Sequence, residues 1–201
     1  YENVDDASNG AEALEKIKAK QYGLVISDWN MEPMTGFELL TKVRQDPANA
    51  DLPFIMVTAE SKTDNILLAR KAGVKRIVAA STGGAILGEA PAPINEEMVA
   101  RPLSPYGASK LAAEGYLSAF GGAYGMASAA LRFSNVFGPK SYLKGSVVAH
   151  FFKALLAGRP LVVYGDGSQI RDYIFVGDLV RGIAQSLESD VTGAIQLGSG
   201  R

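Results

Sequence analysis

Cysteine is absent from the 201 residues, and histidine occurs once, at His150. The first absence excludes disulfides, thiolate metal sites and a cysteine nucleophile; the second leaves no set of imidazoles for a zinc site or a proton relay. Missing too is any run approaching the roughly 20 apolar residues of a membrane helix. The opening Tyr1-Glu2-Asn3-Val4-Asp5-Asp6 has no signal-peptide character. A cytoplasmic chain with no membrane partner is therefore expected. No charge of one sign dominates: 20 Lys and Arg against 21 Asp and Glu leave a net charge of −1, so no global field draws in nucleic acid. What is present is 47% hydrophobic and 20% charged residues, the balance of a globular protein with one large domain or two small ones.

Short apolar runs alternate with amphipathic stretches, which predicts an α/β fold, a doubly wound parallel sheet with covering helices. Strands are expected near 3–7, 24–27, 54–58, 76–80, 129–133 and 194–197. Asn9 followed by Glu12, and Thr35 followed by Glu38, have the spacing of capping boxes and open two helices. A third helix is expected from Asp64 to Ala72, stopped by Gly73, and a fourth begins where Ser104 caps and Pro105 takes the first helical position. No composition change marks a linker at 73–75, which favours a shared core over two beads. Residues 139–178, rich in Val, Phe, Tyr, Gly and Pro, are expected to fold over the C-terminal edge of the sheet as a small substrate-binding cap.

Two places carry candidate chemistry. Asp28 and Thr58 end neighbouring strands on the edge where open α/β sheets place their sites; an isolated aspartate there is ordinarily a loop cap. Tyr106 and Lys110, four residues apart, share a helix face, so the ammonium stabilises the phenolate and the tyrosine becomes a poised general base. Taken alone, such a pair is commonly an incidental surface contact. A glycine-rich phosphate loop is not found: the glycines at 121–125, 165–167 and 198–200 have the wrong spacing or context. Trp29, Met31, Met34 and Met56 read as packing residues, and His150, on an apolar stretch, as structural.

Val25-Ile26-Ser27-Asp28-Trp29-Asn30-Met31, Gly36-Phe37-Glu38-Leu39-Leu40 and Met56-Val57-Thr58-Ala59-Glu60 resemble the chemotaxis receiver family of two-component signalling, over about residues 1–73. The resemblance implies Asp28 as phosphoacceptor, Thr58 as switch hydroxyl and Asn30 as the position whose carbonyl helps hold Mg²⁺. A receiver also needs an acidic pair at the end of its first strand. Asp5-Asp6 imitate that pair but align with the receiver's second strand, and the late Lys-Pro is missing, so Mg²⁺ is not expected and Asp28 and Thr58 are vestigial in this reading.

Ser81-Thr82-Gly83-Gly84-Ala85, Pro105-Tyr106-Gly107-Ala108-Ser109-Lys110, Leu131-Arg132-Phe133-Ser134-Asn135-Val136-Phe137-Gly138-Pro139 and Arg171-Asp172-Tyr173-Ile174-Phe175-Val176-Gly177-Asp178 occur in the order seen in extended short-chain dehydrogenases. Residues 74–201 resemble the UDP-glucose 4-epimerase family among them. The resemblance implies that Tyr106 moves the proton of a sugar hydroxyl while NAD takes hydride from the same carbon, and that Lys110 holds the nicotinamide ribose and tunes Tyr106. Ser81 or Thr82 would hydrogen-bond the reacting oxygen. Which hydroxyl does so stays open, because the commonest spacing back from Gly88 lands on Gly83. Asn135 and Arg171 match positions that meet the nucleotide diphosphate, for which a guanidinium fork is well shaped. Leu87 stands where the family usually has an aromatic residue, and Ala79 where a bulkier one is frequent. A homodimer contact through the tyrosine-bearing helix would include Leu111 and Tyr116.

Together these readings give a Rossmann and flavodoxin-like hybrid: a receiver-like βα segment, 1–73, and an epimerase-like segment, 74–201, sharing one sheet. The first segment lacks both ends of its family pattern and the second lacks its beginning. The expected identity is an engineered or recombined chimera without full native activity, carrying a partial nucleotide-sugar site. Two alternatives stay open: an NAD-dependent epimerase or dehydratase with residual NAD or UDP-sugar binding, and a phosphorylatable receiver module. A first strand and glycine loop ahead of Tyr1 would favour the enzyme, and Asp5 or Asp6 is the remaining candidate for the acidic ribose-binding residue.

Overall fold

A computed structural model describes residues 3–58, 68, 71–72, 74, 76–141 and 145–200. In chain order these form α1 (Gly10–Ala19), β1 (Val25–Asp28), α2 (Gly36–Gln45), β2 (Phe54–Thr58), β3 (Arg76–Thr82), α3 (Gly83–Leu87), α4 (Pro105–Tyr124), β4 (Ala127–Phe133), β5 (Asn135–Phe137), α5 (Val147–Leu156), β6 (Tyr173–Phe175), α6 (Val176–Glu188) and β7 (Gly193–Leu197). The apolar runs pair in parallel in the order β1-β2-β3-β4-β7, and β5 and β6 make a separate parallel pair. The fold is the α/β, Rossmann-like arrangement of a parallel sheet flanked by helices. The helix expected at Asp64–Ala72 lies largely outside the described residues.

Strand alternation decides which side chains each helix covers. On one face Met56, Ile77, Ala79 and Ala130 meet Ile17 of α1, Leu39, Leu40 and Val43 of α2, and Leu117 and Phe120 of α4. On the other, Val78, Ala129 and Leu131 meet Ile183 and Leu187 of α6. Trp29 stacks on Phe37 at 5.5 Å, and Met56 is 1% exposed, so both are packing residues. His150 is exposed rather than structural, on the outer side of α5.

The two outer edges of the sheet differ. On β7 the Gln196 N–H donates to the Glu96 carboxylate at 2.7 Å. On β1, no strand among the described residues pairs with the outer side, and Leu24 and Ile26 are exposed. The strand expected at 3–7 is not formed; residues 3–7 are exposed coil. Val4 is the lone β-branched residue among two aspartates and an asparagine, a poor strand composition, and the aspartates are drawn elsewhere. Asp5 accepts from Lys20 at 2.8 Å and from the Tyr22 hydroxyl at 2.6 Å, while Lys16 donates to the Asp6 carbonyl.

Helix starts follow the capping residues. Thr35 and Glu38 close a full capping box on α2. On α1 the Asn9 side chain accepts from the Glu12 N–H at 3.0 Å, but the Glu12 carboxylate accepts from the Ser8 N–H, one residue earlier than the box requires. No helix among the described residues is long and apolar enough to cross a membrane.

Lys16 and the Ser8 N–H hold the Glu12 carboxyl down to about 2. Its folded value lies below the ordinary 4.5, so its stabilising contribution is fully present above pH 4.5 and is lost as pH falls through about 2. An NMR titration of Glu12 should show the depressed midpoint, and Glu12→Gln should remove this part of the acid limb. Replacing Thr35 with Ala should lower urea-unfolding stability by about 1 kcal/mol through loss of the cap.

Candidate active site

The start of α4 is fixed by its own sequence. Ser104 caps it, its side chain accepting from the Gly107 N–H at 3.1 Å, and Pro105 supplies a preset φ at the first turn. Gly107 is buried against the Ala85 carbonyl with no room for a Cβ, so the first turn of α4 packs directly on α3. This brings the Tyr106–Lys110 face to the C-terminal end of β3. Lys110 is 8% exposed, and its ammonium donates to the Ala80 carbonyl at 3.1 Å. The same ammonium is 5.8 Å from the centre of the Tyr106 ring, within cation–π range. Burial pushes the Lys110 pKa below its ordinary 10.5. Tyr106 is 58% exposed, so the pair presents a solvent-facing phenol backed by a buried cation.

The two candidate hydroxyls diverge. Ser81 donates to Glu114 at 2.6 Å, and the same carboxylate receives Arg132 Nε at 3.0 Å and Nη2 at 2.7 Å. The Arg132 and Glu114 side chains are 6% and 10% exposed. Ser81 is therefore committed to a buried tie between helix and sheet. Thr82, the last residue of β3, stands at the N-cap of α3 and makes no side-chain capping bond. Glu114 was not legible as a candidate, although Tyr106, Lys110 and Glu114 fall at i, i+4 and i+8 on one helix face. In the Ser81-to-Gly84 stretch the first two residues extend the β3 ladder and the glycines begin α3.

Beyond this tie, buried donors gather at the ends of β4 and β7. Arg132 pairs in register with Gln196, and the Ser134 N–H donates to the Leu197 carbonyl at 3.0 Å. Arg132 Nη1, Ser134 Oγ and Gln196 Nε2 have no protein partner among the described residues. Asn135 and Arg171 are both exposed, but each is engaged locally. The Asn135 N–H and side-chain amide donate to the Asp172 carbonyl at 3.0 and 3.2 Å, and Arg171 donates to the Ile170 carbonyl at 2.7 Å. Asp172, which the sequence did not single out, accepts from Ser199 N–H and Oγ and so joins β6 to the loop after β7.

Two strands away on the same carboxyl-terminal edge of the sheet, at the end of β1, Asp28 is exposed and accepts from the Asn30 N–H at 3.2 Å. It pairs in register with Val57, one residue before Thr58, whose side chain lies outside the described structure. Among the described residues no group of three His, Cys, Asp or Glu is placed to hold a metal ion. On α4, Leu111 is half-buried and Tyr116 is 44% exposed.

Removing one partner of a buried, hydrogen-bonded ion pair strands the other charge, at about 3–5 kcal/mol. Glu114→Ala should therefore destabilise the chain by about that much in denaturant titration, whereas Glu114→Leu combined with Arg132→Met should recover most of it.

Comparison with known proteins places this geometry. Residues 1–82 match the response regulator receiver domain, and residues 42–198 match the NAD dependent epimerase/dehydratase family, with an overlap at 42–82. UDP-glucose 4-epimerase of Mycolicibacterium smegmatis is 35% identical over 193 residues, 88% of this chain and 62% of its own. A second curated relative is covered over 40% of its length, so the chain spans roughly half the length of these relatives. The structure of Thermotoga maritima UDP-glucose 4-epimerase with UDP-glucose superposes with a TM-score of 0.72 at 26% identity, covering 96% of this chain and 74% of that one. That of Thermus thermophilus UDP-glucose 4-epimerase in complex with NAD gives 0.69 at 32% identity, over 82% and 61%. With 42–198 matched, the chain belongs to the NAD dependent epimerase/dehydratase family.

Proposed function

We propose that the chain carries the acid–base part of a nucleotide-sugar epimerase or dehydratase site. The observation that supports this reading is the buried Lys110 ammonium, 5.8 Å from the ring of an exposed Tyr106 at the end of β3. In this reading the Tyr106 hydroxyl exchanges a proton with a sugar hydroxyl, and the buried cation behind it favours negative charge developing at that end of the helix. Thr82 is the hydroxyl assigned to the reacting oxygen, because Ser81 is held by Glu114. The related structures contain UDP-glucose or NAD, and both ligand classes carry over to this chain as part of the proposal. The nicotinamide end fits what is present: Lys110 would meet the ribose and Tyr106 the reacting hydroxyl. NAD, when bound, supplies the hydride acceptor. Its pyrophosphate fits less well, since the sequence offers no glycine-rich loop and the described strands run β1-β2-β3-β4-β7 without the reversal that opens a dinucleotide crevice. Asn135 and Arg171 would reach the nucleotide diphosphate only after leaving their present carbonyl partners.

The same proposal holds that the chain is a recombined or engineered chimera, receiver-like over 1–73 and epimerase-like over 74–201, with residues 139–178 as a substrate cap. It rests on the two family matches and on a single ladder running from β1 to β7. A phosphorylatable receiver is the second reading, favoured by the exposure of Asp28 at a strand end.

Isothermal titration with UDP-glucose and NAD separates these readings. The expected result is measurable UDP-glucose binding, weaker NAD binding and slow epimerisation that Tyr106→Phe reduces by about 10²–10⁴-fold. No heat with either ligand would overturn the epimerase-site reading. A beryllofluoride and Mg²⁺ titration that shifts the NMR signals of Asp28 would instead favour the receiver.

A further inference from the structure

The inward stripe of α4 is Gly107, Lys110, Glu114, Leu117 and Phe120, spaced at three and four residues. Its composition divides the helix. The C-terminal half is seated by ordinary packing: Leu117 and Phe120 join Ile77, Ala79 and Ala130 in the core, and the buried Ser128 hydroxyl donates to the Leu117 carbonyl at 3.1 Å. The N-terminal half, from Pro105 to Glu114, buries no large apolar side chain, since Leu111 is half-buried and Tyr106 is exposed.

A helix keeps its register on its neighbours by interdigitating side chains. Gly107, which lets α4 approach the Ala85 carbonyl, has none to offer. The seat of this half therefore falls to polar contacts: the Lys110 ammonium on the Ala80 carbonyl, and the Glu114 carboxylate on Ser81 and Arg132. Glu114 makes the more directional contact. Its two oxygens receive Nε at 3.0 Å and Nη2 at 2.7 Å from one planar guanidinium, which fixes orientation as well as distance, whereas an ammonium turns on a flexible stem.

We propose that Glu114 is a positioning residue for the Tyr106–Lys110 pair. Its bonds to Arg132 and Ser81 set the rotation and height of the N-terminal half of α4 over β3 and β4, and with them the places of the phenol and the ammonium. Glu114 meets no reacting atom and acts through the helix. The consequence for turnover rests on the acid–base reading; the consequence for the burial of Lys110 does not.

Glu114→Leu combined with Arg132→Met removes the directional tie while keeping apolar volume in its place. The parent and this variant are acetylated with acetic anhydride under native conditions, and the rate at Lys110 is read by mass spectrometry against the exposed Lys42. The expected result is Lys110 acetylation accelerated about tenfold relative to Lys42, as local opening of this half of the helix would give. Epimerisation of UDP-glucose by the parent should fall about 10²-fold in kcat, with little change in KM. Glu114→Gln, which keeps the side-chain length and an acceptor for the Ser81 hydroxyl, should move both readouts the same way by smaller factors, and it decides the matter should the paired variant fail to fold. A folded variant in which Lys110 reacts at the parental rate, or in which kcat is unchanged, overturns the proposal. Faster Lys110 acetylation beside a parent that does not epimerise UDP-glucose supports the placement and overturns the acid–base reading alone.

Discussion

The Glu114 carboxylate fixes the position of α4 over the sheet, and the placement of the face that carries Tyr106 and Lys110 depends on it. Ser81 and Arg132 are register partners on β3 and β4, so one carboxylate clamps two strands and one helix together. A buried ion pair gains little over an apolar contact of the same volume, but shifting it by a helical turn would leave both charges unsatisfied in a medium that does not solvate them. The clamp therefore contributes placement more than net stability. Tyr106 lies two turns earlier on α4, about 12 Å along the axis, and inherits its position from this tie and from the contact of Gly107 with α3.

Lys110 occupies the turn between them. Its carbonyl partner is the end of the β3 backbone, which does not vary with side-chain identity, so the ammonium is placed by the ladder itself. Because burial disfavours its charged form, the site holds a cation that any nearby developing negative charge would stabilise.

Much of this was legible in the sequence because parallel strands buried on both faces appear as unbroken apolar runs. β2 and the apolar interiors of β3 and β4 follow that pattern, β7 is a shorter, half-buried run broken by Gln196, and Ser104-Pro105 marks the start of α4. Residues 3–7 failed because a strand is defined by its neighbour, which no local pattern reports; they pair with no strand, and the Asp5 carboxylate accepts from Lys20 and Tyr22 instead. The choice between Ser81 and Thr82 stayed open in the sequence for a related reason. Strand alternation turns them to opposite faces, but which face meets a carboxylate depends on Glu114, 33 residues later. Asn135 and Arg171 sit where short strands meet loops, and their partners are backbone carbonyls that every residue carries, so composition says nothing about them.

The unlike edges of the sheet make its capacity for growth one-directional. At β7 a side-chain carboxylate already occupies an outward amide, so an incoming extended segment would have to displace it. At β1 the outer backbone groups and the exposed Leu24 and Ile26 offer a template to any peptide of suitable register. Accretion of further strands, whether by ancestry, by insertion or by misassembly, is thereby directed to the β1 side, and Tyr106 and Lys110 at the end of β3 stand apart from it behind two intervening strands.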